Sequence, residues 1–227
     1  MKQSLIWEYY QNEAPEIFRG SEGRLRYLAK NVKPGGKILN IGIGAGIFEE
    51  IAVKKGLDVF SLDPNEKAVA SLSRRLGMDE KVKVGYSHDI PFPDEFFDTV
   101  VVSEVIEHLS DEIIEKTLKE VLRVLQIGGR IIGTVPSREK LNEQIAVCPE
   151  CGERFHRWGH IKSFDSEVIK EFLSPYFDVE KICERPFPSR ATMNWKGRVQ
   201  AFVSMILHYF GIHGTNENIV FIAAKPR

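Results

Sequence analysis

The stretch that decides the fold is Ile38-Leu-Asn-Ile-Gly-Ile-Gly-Ala-Gly46, in which a buried-strand pattern runs directly into three glycines spaced two residues apart. A ligand that lies across the end of a parallel sheet approaches the main chain closely, and a Cβ in such a turn would clash with it or forbid the turn. The acidic residue Asp63 follows Gly42 by about twenty residues, as in nucleotide-binding folds. The segment therefore predicts a nucleotide-binding turn.

The spacing of the glycines bears on which cofactor this turn accepts. Gly42, Gly44 and Gly46 form a G-x-G-x-G pattern, whereas the dinucleotide fingerprint places its third glycine one residue later. This chain has Ile47 at that position. The difference favours S-adenosylmethionine over NAD, and an NAD(P)-binding oxidoreductase is the alternative.

Composition indicates one globular α/β domain. Of the 227 residues, 43% are hydrophobic and 28% charged, which suffices for a sizeable core. The 31 basic residues nearly balance the 32 acidic ones, so no overall basic field attracts nucleic acid. The first ten residues lack the apolar run of a secretory signal. We expect a cytoplasmic monomer or homodimer without a transmembrane segment, and one domain over residues 1–227.

Strand and helix signals alternate along residues 22–135. Apolar, β-branched runs end in polar or turn residues, and amphipathic helix patterns lie between them. The predicted strands cover residues 37–41, 57–62, 82–86, 98–103, 127–135, 177–183 and 218–224. This order predicts an α/β fold: a Rossmann-like, seven-stranded, mostly parallel sheet with an antiparallel edge strand and helices on both faces.

In this order of motifs the chain resembles the class I S-adenosylmethionine-dependent methyltransferases, particularly the ubiquinone-type enzymes and their methyltransferase type 11–12 relatives. The resemblance implies that the glycine turn lies beneath the methionine part of the cofactor. It also implies that Asp63, followed by Pro64, binds both ribose hydroxyls. A carboxylate suits that task because two neighbouring hydroxyls are donors and an ionised acid offers paired acceptors.

The same resemblance assigns the remaining contacts of the cofactor. Asp89 matches the acid that accepts from the adenine amine, and Ile90 matches the apolar residue that covers the ring. Ser103 and Glu104 match the segment that packs beside the methionine group. We expect all of these residues at one edge of the sheet, because the carboxyl ends of parallel strands meet there.

One position departs from the family pattern. The residue two before the first glycine is usually an acid, and here it is Asn40. An amide accepts a hydrogen bond through its oxygen but supplies no charge to the ammonium end of the cofactor. Asn40 therefore leaves open a module that binds S-adenosylmethionine without catalysis.

A Cys/His segment lies within an insertion at about residues 136–163. Cys148, Cys151, His156 and His160 have the order and short spacing of a zinc knuckle. We expect a structural Zn²⁺ that fastens the insertion over the substrate entrance, and a reduced thiol pair beside surface histidines is the alternative.

A second interpretation uses part of the same region. Small-RNA 3′-end 2′-O-methyltransferases have a Glu-x-x-Glu-His motif and a later histidine that bind a catalytic metal, and this chain resembles them at Glu104, Glu107, His108 and His160. Without a metal, His108 or His160 is the candidate base for an oxygen acceptor. The metal-dependent RNA enzyme is thus a further alternative.

The methyl acceptor is the least defined part of this interpretation. Aromatic residues near the start of the chain and in a variable segment at about 185–214 are expected to roof the acceptor pocket. They are Trp7, Tyr9, Tyr10 and Trp195, followed by an apolar helix over 199–210. We expect an unidentified small molecule as the acceptor.

Overall fold

The computed structural model describes residues 3–188, 195–197, 199, 203 and 217–227. A seven-stranded β-sheet forms its centre, and a two-stranded hairpin lies in the segment after the fifth strand. The large sheet consists of β1 (Lys37–Ile41), β2 (Asp58–Asp63), β3 (Val82–Val84), β4 (Phe97–Ser103), β5 (Leu125–Pro136), β8 (Asp178–Pro186) and β9 (Glu217–Ala224). The hairpin consists of β6 (Ile145–Val147) and β7 (Arg154–His156).

The spatial order of the sheet is β3-β2-β1-β4-β5-β9-β8. The first five strands in this order pair in parallel, whereas β9 runs antiparallel to both β5 and β8. The predicted mostly parallel sheet is confirmed, and its antiparallel strand lies beside the edge strand β8. Because β1, β2 and β4 point the same way, their carboxyl ends share one edge, called here the rim.

Helices cover both faces of the sheet, as predicted. They are α1 (Gln3–Asn12), α2 (Glu22–Asn31), α3 (Ile47–Lys54), α4 (Glu66–Leu76), α5 (Asp111–Val124) and α6 (Ser166–Leu173), with 3₁₀ turns at Pro15–Ser21, Ile106–His108 and Leu141–Gln144. Apolar side chains of α2, α3 and α4 form one cluster, and those of α5 and α6 form another. In β4, Val100 and Val102 join the α5–α6 cluster while Val101 joins the other, as strand alternation requires.

The insertion after β5 is more regular than its sequence suggests. It contains the 3₁₀ turn Leu141–Gln144 and the β6–β7 hairpin. Most of the variable segment at 185–214 lies outside the described residues, as does the predicted helix over 199–210 except for Val199 and Val203. In the part of the chain that the structure describes, no helix combines the length and apolar content needed to cross a membrane.

A buried carboxylate ties three elements together behind the glycine turn. Glu49, in the first turn of α3, has an exposed fraction of 0%. Its Oε1 accepts hydrogen bonds from Asn40 Nδ2 of β1 at 2.7 Å and from Ser61 Oγ of β2 at 2.8 Å. Its Oε2 has no partner among the described residues. Burial raises the pKa of Glu49 from 4.5 to about 7, against the lowering effect of these hydrogen bonds.

Replacement of Glu49 by Gln is expected to remove a pH dependence of stability. Because the folded state holds this proton more tightly than the unfolded chain, the free energy of unfolding falls as pH rises from 4.5 to about 7. The loss amounts to about 3 kcal/mol at most. Denaturant unfolding between pH 5 and 8 should therefore show a flatter profile for Glu49→Gln, which should be the more stable protein at pH 8.

Glu50→Gln is the matched control for this measurement. Glu50 is the next residue of α3 and forms a surface ion pair with Arg75 at 3.4 Å. This variant keeps Glu49, so its pH profile should parallel that of the wild type. If Glu49→Gln keeps the wild-type slope, the Glu49 carboxyl does not titrate in the way described.

Candidate functional site

The glycine turn after β1 gives the rim an exposed backbone surface. Gly42, Gly44 and Gly46 all have positive φ, at 86°, 54° and 78°. A Cβ on Gly42 would lie 2.7 Å from Val105 Cγ2, and one on Gly44 would lie 3.2 Å from the Phe18 ring. Side chains at these two positions would strain the backbone and collide with neighbouring elements. Helix α3 begins at Ile47, directly after Gly46, which has a left-handed backbone conformation.

Asp63, at the carboxyl end of β2, is held by backbone donors. Its side chain is 3% exposed. Oδ2 accepts the N–H of Ile43 and Oδ1 accepts the N–H of Asn65, both at 2.9 Å. Burial raises the pKa of this carboxyl, while the hydrogen bonds that it accepts oppose the shift. Pro64 follows on the exposed surface. The carboxylate is thus fixed beside the glycine turn, as the sequence predicts.

The N-terminal helix adds a contact that the sequence interpretation missed. Gln11 Nε2 donates to Oδ2 of Asp63 at 3.0 Å, and its Oε1 has no partner among the described residues. Together with Ile43, Gln11 uses both lone-pair positions of that oxygen. The residues around Gln11 give no local signal for a contact with a residue so far along the chain.

Asn40, which occupies the position of the usual acid, is hydrogen-bonded to a buried carboxyl group. It is 2% exposed and donates to Glu49 Oε1 and, at 3.2 Å, to the carbonyl oxygen of Gly42. A carboxylate is therefore present behind the turn, on α3 rather than on β1. In the sequence, the only sign of it is an acidic pair inside the apolar run Ile47-Phe-Glu-Glu-Ile51.

Asp89 and Ile90, which follow β3, differ in exposure: the first lies on the surface and the second in the core. Asp89 is exposed, and its backbone forms an isolated bridge with Tyr86. Ile90 is 2% exposed and packs in the α5–α6 cluster, with its N–H donated to Glu120 Oε2 at 2.8 Å. Asp89 is therefore accessible to a ligand, whereas the Ile90 side chain offers little surface. The expected adenine contacts of both residues stay predictions.

Ser103 is the last residue of β4 at the rim, and Glu104 follows it. Glu104 has a φ of 55°, a conformation that is uncommon for a residue other than glycine and often marks functional sites. Its carboxylate accepts from Asn218 Nδ2 at 3.1 Å and pairs with Arg24 at 3.4 Å. Arg24 Nε also donates to Ser103 Oγ at 3.2 Å, and Ser103 bonds Thr134 Oγ1 at 2.8 Å.

Next to this turn lies a group of acidic and imidazole side chains. One oxygen of Glu107 and one ring nitrogen each of His108 and His160 lie within 4.8 Å of one another. Burial, with the nearby charge of Glu104, raises the pKa of Glu107 well above its usual value. Burial also lowers the pKa of His108 to about 3, so that imidazole is neutral at pH 7. Three members of the expected Glu104, Glu107, His108 and His160 set meet here, while Glu104 pairs with Arg24 and Asn218 instead.

The structure does not bring the four predicted knuckle ligands together. His156 and His160 group with Glu139, and within the described ranges neither Cys148 nor Cys151 belongs to such a group. The reason is the hairpin: the cysteines lie in its loop, whereas His156 pairs with Ile145 at the opposite end. Each strand residue adds about 3.3 Å of separation. Glu139 is a second residue that the sequence interpretation missed.

Aromatic side chains of the N-terminal helix reach the insertion, as expected of a roof. The ring of Trp7 meets that of His108 edge-on, with 4.2 Å between centroids. Tyr10 lies 5.1 Å from Trp158, and its hydroxyl donates to the carbonyl of Arg157 at 3.2 Å. Tyr9 is half exposed and contacts Tyr10. The N-terminal helix and the insertion therefore meet above the end of β4.

Comparisons with known proteins agree with this arrangement. Residues 39–133 match the family described as Methyltransferase domain. A putative methyltransferase, YrhH from Bacillus subtilis, is 38% identical over 107 residues, which cover 44% of this chain and 57% of that protein. The ubiquinone/menaquinone biosynthesis C-methyltransferase UbiE from Geotalea daltonii is 31% identical over 121 residues, or 47% of this chain and 49% of that protein. The chain thus spans about half the length of these curated relatives.

The fold is shared with solved structures along most of the chain. A SAM-dependent methyltransferase from Methanosarcina mazei superposes with a TM-score of 0.63 at 18% identity, over 88% of this chain and 97% of that one. The domain match, the relatives and the seven-stranded sheet agree with the glycine turn and Asp63 at its rim. Over residues 39–133 this chain is similar in sequence to methyltransferases, and its fold is that of S-adenosylmethionine-dependent methyltransferases of known structure.

Proposed function

We propose that this protein transfers a methyl group from S-adenosylmethionine to a small-molecule acceptor. The observation that carries the proposal is the carboxylate of Asp63, oriented by the N–H groups of Ile43 and Asn65 beside three glycines of positive φ. A carboxylate fixed in this way offers acceptors to paired ribose hydroxyls, and the glycines let a ligand approach the backbone.

In such a reaction the protein orients the cofactor and the acceptor and excludes water from the site. The cofactor supplies a methyl group already activated by its positive sulfur. Asp63 and the turn bind one end of the cofactor, and the segment around Ser103 and Glu104 borders the space beyond it. Trp7 and Tyr10 close that space on the side of the insertion and exclude water.

The two histidines differ in their suitability as a base. With a pKa of about 3, His108 holds a proton too weakly to take one from an acceptor hydroxyl near pH 7. His160 Nδ1 hydrogen-bonds the carboxylate of Glu139, which leaves Nε2 to accept a proton or to bind a cation. We assign no base to His108.

Three observations favour a small acceptor. Aromatic side chains border the site, and such surfaces suit small organic molecules that bind by stacking and burial. The net charge is −1, so no general basic field attracts a nucleic acid. The matched C-methyltransferase of quinone biosynthesis also supports this class.

Ligand-induced stabilisation tests the cofactor directly. S-adenosylmethionine at 100 times its Kd should raise the free energy of unfolding by about 2.7 kcal/mol, and NAD⁺ should give no comparable shift. Formation of S-adenosylhomocysteine is then measured over a panel of phenols, quinols, amines and sugars. Stabilisation by NAD⁺ alone would contradict the proposal. Cofactor binding without turnover on any acceptor would support the non-catalytic alternative.

Asp63→Asn should weaken S-adenosylmethionine binding by about 10- to 100-fold, measured by titration calorimetry. The amide keeps the size of the side chain but loses one acceptor and the charge, and hydrogen bonds to charged groups contribute about 1.5–3 kcal/mol. Asp58→Asn is the matched control. Asp58 begins the same strand at the opposite edge and pairs with Lys81, so its loss should leave affinity unchanged. Equal affinities of the two variants for S-adenosylmethionine would show that Asp63 does not bind the cofactor.

Gln11→Ala should tighten S-adenosylmethionine binding by about threefold to tenfold. Gln11 competes with a ribose hydroxyl for Asp63 Oδ2, and removing one net hydrogen bond is worth about 1 kcal/mol. Asn12→Ala is the control, since the hydrogen bond that Asn12 Nδ2 makes among the described residues goes to the carbonyl of Glu8 within its own helix. Weaker binding by Gln11→Ala would mean that Gln11 contacts the cofactor instead of competing with it.

A further inference from the structure

Three exposed apolar side chains lie at helical spacing between the last two strands of the large sheet. Trp195, Val199 and Val203 have helical backbone, and they are 71%, 55% and 46% exposed. Residues four apart lie on the same face of a helix, so the three form one stripe about 12 Å long, called here the apolar stripe. Single exposed apolar residues are ordinary, whereas a contiguous stripe that includes a tryptophan indicates an interaction surface.

The sequence around the apolar stripe is basic. Residues 186–216 contain no Asp or Glu, whereas the whole chain of 227 residues has 32 of them. The same stretch contains Arg190, Lys196 and Arg198. Lys196 is exposed, and its Nζ lies 5.7 Å from the centroid of the Trp195 ring. This stretch is therefore locally positive on a chain whose net charge is −1, and it favours an anionic partner.

An anionic lipid surface fits this combination of side chains. Tryptophan is enriched where membranes meet water, because its apolar ring is buried there while its N–H stays hydrated. Basic residues beside an apolar helix face attract anionic lipids. A second copy of this chain fits less well, because symmetric pairing of two stripes would bring two basic stretches without acids together.

Both ends of the connection that carries the apolar stripe lie at the rim. Because β9 is antiparallel to both β5 and β8, the carboxyl ends of β5 and β8 share one edge. There Pro186 of β8 pairs with Glu217 of β9, and the next residue, Asn218, donates to Glu104 Oε1 at 3.1 Å. Trp195 follows Pro186 by nine residues, which span at most about 32 Å. A bilayer that binds the stripe therefore lies within about this distance of the rim.

We propose that Trp195, Val199 and Val203, together with Lys196, form a docking surface for anionic lipid membranes. The three apolar side chains enter the boundary between headgroups and acyl chains, and Lys196 stays among the charged groups of the lipids. Docking is reversible, because this apolar area is far smaller than that of a spanning helix. It gives the rim access to acceptors dissolved in the bilayer, and it stands whether or not the protein transfers methyl groups.

Cosedimentation of the full chain with vesicles tests the proposal. The vesicles consist of phosphatidylcholine alone or of phosphatidylcholine mixed with phosphatidylserine, at equal total lipid. We expect binding to the mixed vesicles, binding at least about tenfold weaker to pure phosphatidylcholine, and a smaller difference at high NaCl concentration, since salt screens exposed charges. Absence of binding to the mixed vesicles, or equal binding to both kinds, overturns the proposal, whatever the methyltransferase activity.

Variants of the apolar stripe assign the surface. Trp195→Ser and the double variant Val199→Ser/Val203→Ser should each weaken binding to the mixed vesicles by about tenfold or more, because apolar burial is lost. Lys196→Glu should weaken it by about 5- to 30-fold, because it reverses a charge beside the lipid headgroups. Unchanged binding in both Trp195→Ser and the double variant overturns the assignment.

Val53→Ser and Lys54→Glu are the matched controls. Both residues are exposed in the last turn of α3, a helix that starts at the glycine turn and therefore ends away from the rim. These variants should bind the mixed vesicles as the wild type does, and circular dichroism verifies the folding of every variant. Analytical ultracentrifugation supplies the second readout. A wild-type dimer that Trp195→Ser dissociates, without vesicle binding, assigns the stripe to a contact between copies and overturns the proposal.

Discussion

The hydrogen bond from the N–H of Ile43 to Oδ2 of Asp63 is the contact on which the site depends. It joins the turn after β1 to the end of β2, and the N–H of Asn65 holds the other carboxylate oxygen. Both donors belong to backbone that the parallel sheet has already fixed, so the carboxylate is oriented before a ligand arrives. Binding then costs less ordering of side chains. The positive φ of Gly42 and Gly44 keeps the backbone beside this carboxylate clear of side chains.

Buried carboxyl groups are the second common feature of the rim. Glu49, Asp63 and Glu107 are almost completely buried, and burial is the largest cause of the raised pKa of each. Three desolvated carboxyls destabilise an empty site and favour cationic ligands, because each positive charge that enters restores part of the lost solvation. S-adenosylmethionine carries a positive sulfur. The electrostatics of the rim thus agree with the chemistry proposed for it.

The sequence predicted the features that depend on local pattern. Strand periodicity predicted a seven-stranded, mostly parallel sheet, and the spacing of Gly42 and Asp63 predicted that both lie at one edge of it. Features that depend on distant contacts escaped it. Gln11 reaches Asp63 and Glu139 reaches His160 only after folding. The expected grouping of the cysteines with His156 rested on their short spacing in the sequence. The β6–β7 hairpin separates them, because β7 is extended and places His156 at the end of the hairpin opposite the loop that holds the cysteines.

Helix α1 connects the two sides of the rim. Gln11 contacts Asp63 on the cofactor side, and four residues earlier Trp7 packs against His108 beside the insertion. Residues four apart lie on the same face of a helix, so one face makes both contacts. A ribose that displaces Gln11 from Asp63 must turn that side chain or shift the helix, and a shift of the helix also moves Trp7. The helix beside the proposed cofactor site therefore has a direct physical route to the space beside His108, through packed side chains of a single helix turn.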